Sequence, residues 1–178
     1  MEGIQVHGKK FVPFIFEEDI KQKIKEIAAR INQDYAGKNP LFIAILNGSF
    51  MFAADLLKEI DIEAEISFIK LASYKGTKSS GQVLTAIGLD TDLVGRDVII
   101  VEDIVDTGKT LHAFIPQLQH QNPRSIRLVT MLHKKEATTF PVPVDYVCFE
   151  IPDKFVVGYG LDYDALGRNH KHLYQLEE

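Results

Sequence analysis

Two stretches of this chain, Leu41–Leu46 (LFIAIL) and 98–101 (VIIV), are apolar at every position, and each ends in a short polar turn ahead of a helix-prone segment. A strand with one wet face alternates apolar and polar residues, so an unbroken apolar run must be covered on both faces. The usual solution is a parallel sheet with helices packed on each side. Further strands are expected at 125–131 (SIRLVTM) and 144–149 (VDYVCF), with Pro123, Pro141 and Pro143 marking the connections. Strands that alternate with helices imply right-handed βαβ crossovers. The expected fold class is α/β, with a parallel central sheet flanked by helices, built as a single domain from the 178 residues.

Sheets of this kind gather ligands at the carboxyl ends of their strands. The segment 97–110 reads DVIIVEDIVDTGKT, so Glu102 and Asp103 stand at such an end, followed by Asp106, Thr107, Gly108, Lys109 and Thr110. The last five supply successive backbone N–H groups, two hydroxyls and a glycine free to adopt positive φ, all just before a helix expected at 111–119. That is how an anion cradle is built. The nucleotide loop GxxxxGK[ST] is excluded, because Asp103 stands where its first glycine is required. Two acids would repel a bare polyphosphate, but they suit a ligand that brings sugar hydroxyls or a bound cation beside its phosphate. An ordinary strand end capped by Asp106 or Thr107 explains the turn. It does not explain acids, hydroxyls and glycine together.

Asn47, Gly48 and Ser49 after the first run repeat the pattern of strand, polar turn and helix (50–60). They are either a plain connection or a second set of donors. Residues 17–35 place Ile20, Ile24, Ile27 and Ile31 at helical spacing, with acids at 17–19 and Gly37 beyond the end, which predicts an amphipathic helix. In 62–70, Ile62, Ala64, Ile66 and Phe68 alternate with polar residues, which predicts a strand buried on that face. A short strand is expected at 83–87. Between them, 73–82 (SYKGTKSSGQ) is too polar to pack and is either a solvated hairpin tip or a lid.

Charge and cysteine content narrow the function classes. A net charge of −5 and a pI near 5.7 argue against a general basic surface for nucleic acid. Cys148 is the only cysteine, so no intrachain disulfide can form, and VDYVCFE predicts a buried, unreactive thiol. No apolar run approaches a membrane span and the N-terminus has no secretory apolar region, so a soluble cytoplasmic protein is expected. The six histidines show no zinc spacing. His133, Lys134, Lys135 and Glu136 read on their own as a charged, solvated strand end.

The remaining distinctive stretch is 151–168, IPDKFVVGYGLDYDALGR, where Phe155 and Val156 precede a Gly-x-Gly turn and two acids. A flat aromatic at a strand end packs in a core or stacks on a planar base. VIIVEDIVDTGKT resembles the phosphoribosyl pyrophosphate (PRPP) loop of type I phosphoribosyltransferases. EIPDKFVVGYGLDY resembles the purine-recognition segment of the hypoxanthine-guanine phosphoribosyltransferases, and the likeness extends over roughly 41–168.

The resemblance implies the type I fold with a small hood and a mobile lid loop, and a reaction in which purine and PRPP give a nucleoside 5′-monophosphate and pyrophosphate with Mg²⁺. Hypoxanthine, with guanine, would give IMP and GMP. Carried over by position, Glu102 and Asp103 would meet the ribose hydroxyls directly or through metal. Asp106 would face N7 of the base as proton acceptor, and Asp106, Thr107, Gly108, Lys109 and Thr110 would hold the 5′-phosphate. Leu46, Asn47, Gly48 and Arg168 would bind pyrophosphate. Lys134 would donate to the 6-oxo group, Phe155 would stack on the ring, and the Val156 backbone would read the N1 and 2-position edge. Asp162 would border the purine pocket and help hold a second Mg²⁺, so the metal-binding acids would be Glu102, Asp103 and Asp162. Ser73 and Tyr74 match the lid dipeptide. Members commonly form dimers or tetramers, which implies a homo-oligomer here. Many relatives carry Lys where this chain has Asn47, in a turn that can include a cis peptide. A xanthine-preferring enzyme and a PRPP-sensing regulator that binds nucleic acid remain alternatives on the same fold, the acidic pI weighing against the second.

Overall fold

The computed structural model describes residues 2–73 and 83–178, with backbone alone at 72–73 and 83–87. In chain order the elements are β1 (Ile4–Val6), β2 (Lys9–Ile15), α1 (Glu17–Asp34), β3 (Leu41–Leu46), α2 (Phe50–Lys58), β4 (Glu65–Ser73) and β5 (Val83–Ile87), then β6 (Asp97–Val105), α3 (Lys109–Gln119), β7 (Ser125–His133), β8 (Tyr146–Glu150), β9 (Val156–Val157) and β10 (Leu173–Leu176).

The main sheet runs β5-β4-β3-β6-β7-β8. Its five strands from β4 to β8 are parallel, and β5 closes the edge antiparallel to β4. The apolar runs are covered on both faces, as their composition requires. Phe42, Ala44, Ile99 and Val101 pack with Ile20, Ile24, Ile27 and Ile31 of α1 and Phe52 and Leu56 of α2. The alternate residues Leu41, Ile43, Ile45, Val98 and Ile100 pack with Leu111, Phe114, Ile115 and Leu118 of α3. Each such large side chain taken wholly out of water contributes on the order of 1.5–3 kcal/mol, offset by the entropy of ordering it.

From β3 the chain moves to β4 on one side, whereas from β6 it moves to β7 and β8 on the other. The switch in winding direction falls between β3 and β6. A crevice opens at the carboxyl ends of such a strand pair, and both polar turns singled out in the sequence lie there.

A second sheet, β1-β2-β10-β9, is antiparallel and forms the hood around Val6, Phe11, Val157 and Tyr174. It is joined to α1 through His172, whose Nδ1 accepts from the Glu17 backbone N–H at 2.9 Å. This satisfies one of the helix's otherwise unpaired N-terminal donors.

Two local expectations are amended. β6 does not stop before the acids: Glu102 and Asp103 lie inside the strand, which continues to Val105 and pairs with β7 as far as His133. On β4 the expected buried face is covered only at its approach, by the first core around Ile62 and Ala64. Farther along, Ile66 and Phe68 are 39% and 42% exposed, and it is Ile69 on the opposite face that is buried. Tyr74 and the rest of the expected lid, 74–82, lie outside the described residues, and for Ser73 only the backbone in β4 is described.

Candidate active site

The ends of β3, β6 and β7 and the start of β9 deliver the site. Beyond β6, Gly108 takes φ 82° and forms the N-cap of α3 without a side-chain hydrogen bond. The Lys109 N–H donates to the Thr107 hydroxyl at 3.3 Å, which leaves the N–H groups after it in the first turn of α3, together with the partial positive charge of the helix end, to face an anion. The loop is fixed from behind by the segment after β7. Thr139 and Phe140 N–H groups donate to the Thr107 carbonyl at 3.1 and 3.0 Å, and the Thr138 hydroxyl donates to the Asp106 carbonyl at 2.7 Å. A Cβ at Gly108 would meet the Phe140 carbonyl oxygen at 2.7 Å, so glycine is required there by space as well as by φ.

Glu102 accepts from the Asp103 N–H at 3.0 Å, and Asp103 accepts from the Ile104 N–H at 2.7 Å. Burial, reinforced by the adjacent Asp103 carboxylate, pushes the Glu102 carboxyl well above the ordinary range. Without a ligand, two full negative charges at this strand end are thus disfavoured. Hydroxyl donors or a cation would restore the charged form.

Across the crevice, the Leu46–Asn47 peptide is cis. Gly48 stands so close to Asp103 that an added Cβ would fall 1.7 Å from the Asp103 Oδ2 atom. Gly160, at φ 97°, presses on the other side of the same turn, its own missing Cβ lying 2.2 Å from the Gly48 carbonyl oxygen. Arg168 donates to the Gly160 carbonyl at 2.7 Å and pairs with Asp162 at 3.0 Å, while Asp162 also accepts from the Ala165 N–H at 2.8 Å. One chain of close contacts therefore brings together Asp103, Gly48, Gly160, Arg168 and Asp162.

The second half of the site is built by the hood and β7. Phe155 is 45% exposed, and its ring meets Tyr163 nearly at right angles and Phe11 at a tilt, at centroid separations of 5.5 and 6.2 Å. Val156 is held in β9 opposite Gln175 of β10. Lys134, read alone as a solvated charge, is instead buried, with only 7% of its side chain exposed and its Nζ 3.2 Å from both Asp106 and Asp153.

Two adjoining cavities result. One, of about 150 Å³, is lined by residues 102–111 and holds the acids and the anion loop. The other, of about 180 Å³, is lined by Lys134, Phe155, Val156, Leu161 and Asp162. Asp103, Ile104 and Asp106 form the wall common to both. An anion cradle and a flat apolar cleft with a buried cation thus meet at two carboxylates. Sequence reasoning missed Thr138, Phe140 and Asp153, whose roles are long-range contacts that no local pattern announces.

Among the described residues, no three His, Cys, Asp or Glu side chains group closely enough to cage a metal without help. Cys148 is buried in β8, and burial pushes its thiol up to about 12, which removes it as a nucleophile.

Comparison with known proteins agrees with this geometry. Residues 16–164 match the family model described as the phosphoribosyl transferase domain. The chain is 45% identical over 163 residues to a curated hypoxanthine-guanine phosphoribosyltransferase of Streptococcus agalactiae, covering 91% of each chain. Among solved structures, a hypoxanthine phosphoribosyltransferase from Staphylococcus aureus superposes with a TM-score of 0.88 at 40% identity, covering 93% of this chain and 90% of that one. One from Trypanosoma cruzi gives 0.89 at 36%, covering 98% and 95%. Fold, site and sequence together place the chain in the phosphoribosyltransferase family, within its hypoxanthine-guanine branch.

Proposed function

We propose that this chain is a cytoplasmic purine-salvage enzyme that transfers phosphoribose from PRPP to hypoxanthine, and to guanine, giving IMP or GMP and pyrophosphate. The observation that carries this is the shared wall: the anion cavity and the base cavity meet at Asp103 and Asp106, where C1′ and N9 of a bound pair would face one another.

In this reading the α3 N-terminus and Thr107 to Thr110 hold the 5′-phosphate, and Glu102 and Asp103 accept from the ribose hydroxyls. Phe155 stacks on the ring, Lys134 donates to the 6-oxo group, and the Val156 backbone reads the opposite edge. As the C1′–oxygen bond breaks, positive charge grows at C1′ while negative charge grows on the departing pyrophosphate. The Leu46 to Gly48 turn and Arg168 bind that pyrophosphate. Asp106 accepts the N7 proton as N9 forms the new bond.

The donor set fits Mg²⁺, which takes one or two carboxylates and fills its remaining positions with substrate oxygens and water. Glu102 and Asp103 offer such carboxylates on the ribose side and Asp162 on the pyrophosphate side. When bound, Mg²⁺ neutralises charge developing on the pyrophosphate oxygens. A homo-oligomer, dimer or tetramer, belongs to the same reading, and the exposed Ile66 and Phe68 support it. A chain that stays monomeric in light scattering at assay concentration would count against that part.

Competition of hypoxanthine, guanine and xanthine for limiting enzyme, with PRPP and Mg²⁺, tests the substrate class. Hypoxanthine and guanine should be consumed ahead of xanthine. Preferential consumption of xanthine would overturn the assignment of the base.

A further inference from the structure

We propose that Asp153 is a positioning residue for base recognition, holding the Lys134 ammonium from behind so that its remaining N–H is aimed into the purine cavity. The proposal rests on the purine reading of that cavity.

The ammonium is a buried cation with three donors and no acceptor, and burial obliges it to find partners. Two donors are committed, to Asp106 Oδ2 and to Asp153 Oδ1, each at 3.2 Å. The third is left for an acceptor on the ligand, and a 6-oxo oxygen is of the right kind. The two carboxylates are not equivalent. Asp106 lines the cavity and can meet the base itself, whereas Asp153 is absent from the lining and 69% of its side chain is open to solvent. Asp153 therefore reaches the base through Lys134 alone.

Its backbone is placed for this. Lys134 leaves the end of β7 with its N–H on the Val105 carbonyl at 2.9 Å, so it is tied to the end of β6. Ile151, leaving the end of β8, donates to the His133 carbonyl, also at 2.9 Å. A tight turn follows, in which the Lys154 N–H donates to the Pro152 carbonyl at 2.7 Å, and Pro152 restricts φ just before Asp153. Three neighbouring strand ends thus present Asp106, Lys134 and Asp153 in a row. Held at one point only, a long lysine side chain swings about its single contact. Two anchors fix the direction of the third N–H.

Steady-state kinetics of Asp153→Ala, Asp153→Asn and Asp153→Glu, with purine lacking any 6-substituent as a competitive inhibitor, test the idea. Because Asp153 is solvent-exposed, the effect should be moderate. The KM for hypoxanthine should rise roughly 3- to 20-fold in Asp153→Ala. The KM for PRPP and the melting temperature should stay at the parent values, as should the inhibition constant of 6-unsubstituted purine, which lacks the 6-oxo oxygen. Asp153→Asn and Asp153→Glu, which keep an acceptor oxygen, should recover part of the loss. Equal weakening of hypoxanthine and 6-unsubstituted purine, parallel loss of PRPP binding, or no loss at all would overturn the proposal. Failure of the underlying reading is distinguishable, because the parent enzyme would then not use hypoxanthine or would not distinguish it from the 6-unsubstituted ring.

Discussion

Substituting Gly48 by alanine probes its contact with Asp103, on which the proposed pyrophosphate and ribose halves of the site are joined. The backbone at Gly48 has no positive φ, so an L side chain is excluded by space alone. The new methyl would lie 1.7 Å from Asp103 Oδ2 and 2.6 Å from its Cγ, against a tolerable limit near 3.0 Å, so the carboxylate must retreat by more than an ångström. Rotation is resisted because Oδ1 is held by the Ile104 N–H at 2.7 Å. On the other side, Gly160 blocks the turn from backing away. If Asp103 accepts from the ribose hydroxyls as proposed, misplacing it forfeits a charge-assisted hydrogen bond of about 1.5–3 kcal/mol, or roughly 10- to 150-fold in kcat/KM for PRPP. Initial rates at saturating hypoxanthine and varied PRPP give that ratio, with thermal melting to confirm the fold. The same methyl added to an Asp103→Ala background should cost little, because the group it displaces is gone. A Gly48→Ala enzyme with unchanged kcat/KM for PRPP, or an equal penalty in both backgrounds, would refute the reasoning.

Other substitutions address separate parts of the site. Phe155→Ala should raise the KM for hypoxanthine by about 5- to 150-fold, since stacking on a base is worth roughly 1–3 kcal/mol; unchanged purine affinity would reduce Phe155 to a packing residue. Asp106→Asn should lower kcat more than it weakens PRPP binding, and full turnover in that variant would remove Asp106 as the proton acceptor. Asn47→Lys adds a cation to the pyrophosphate turn and should tighten pyrophosphate and PRPP, read as product-inhibition and Michaelis constants, whereas unchanged constants would show that the backbone carries the contact alone. Far from the site, the Arg124 guanidinium holds the carboxyl of buried Asp97 down to about 2. Because the folded-state value lies below the unfolded one, this stabilisation is present above about pH 4 and fades as pH falls towards 2. Asp97→Asn should cost on the order of 1–2 kcal/mol in urea melts at neutral pH, discounted for the exposed arginine. A deficit that does not shrink in acid would contradict that origin.

The sheet was legible in the sequence because covering an apolar run on both faces leaves so little choice, and the positions of β3 and of the first half of β6 follow from it. Parity along β4 was not. Alternation shows that Ile66 and Phe68 share a face, but only the tertiary arrangement determines that the cover ends before them. The anion loop was readable in chemistry and order, since acids, hydroxyls and glycine lie side by side in the chain. The residues that fix it are remote: Thr138 and Phe140 arrive more than thirty positions later, through backbone and hydroxyl bonds indifferent to most side-chain patterns. Lys134 shows the same limit most sharply. Flanked by His133, Lys135 and Glu136, it reads as surface, yet it is buried, with Asp106 and Asp153 meeting its ammonium from beyond the ends of β6 and β8.

The union of a phosphate cradle and a purine cleft at Asp103 and Asp106 is tested most directly by following one reaction. Protein, hypoxanthine, PRPP and Mg²⁺ are mixed, and IMP and pyrophosphate are quantified together over time. The two products should appear in equal amounts, depend on Mg²⁺ and fall together in Asp106→Asn. Absence of IMP at every Mg²⁺ concentration, or release of pyrophosphate without IMP, would contradict a transfer site at that wall.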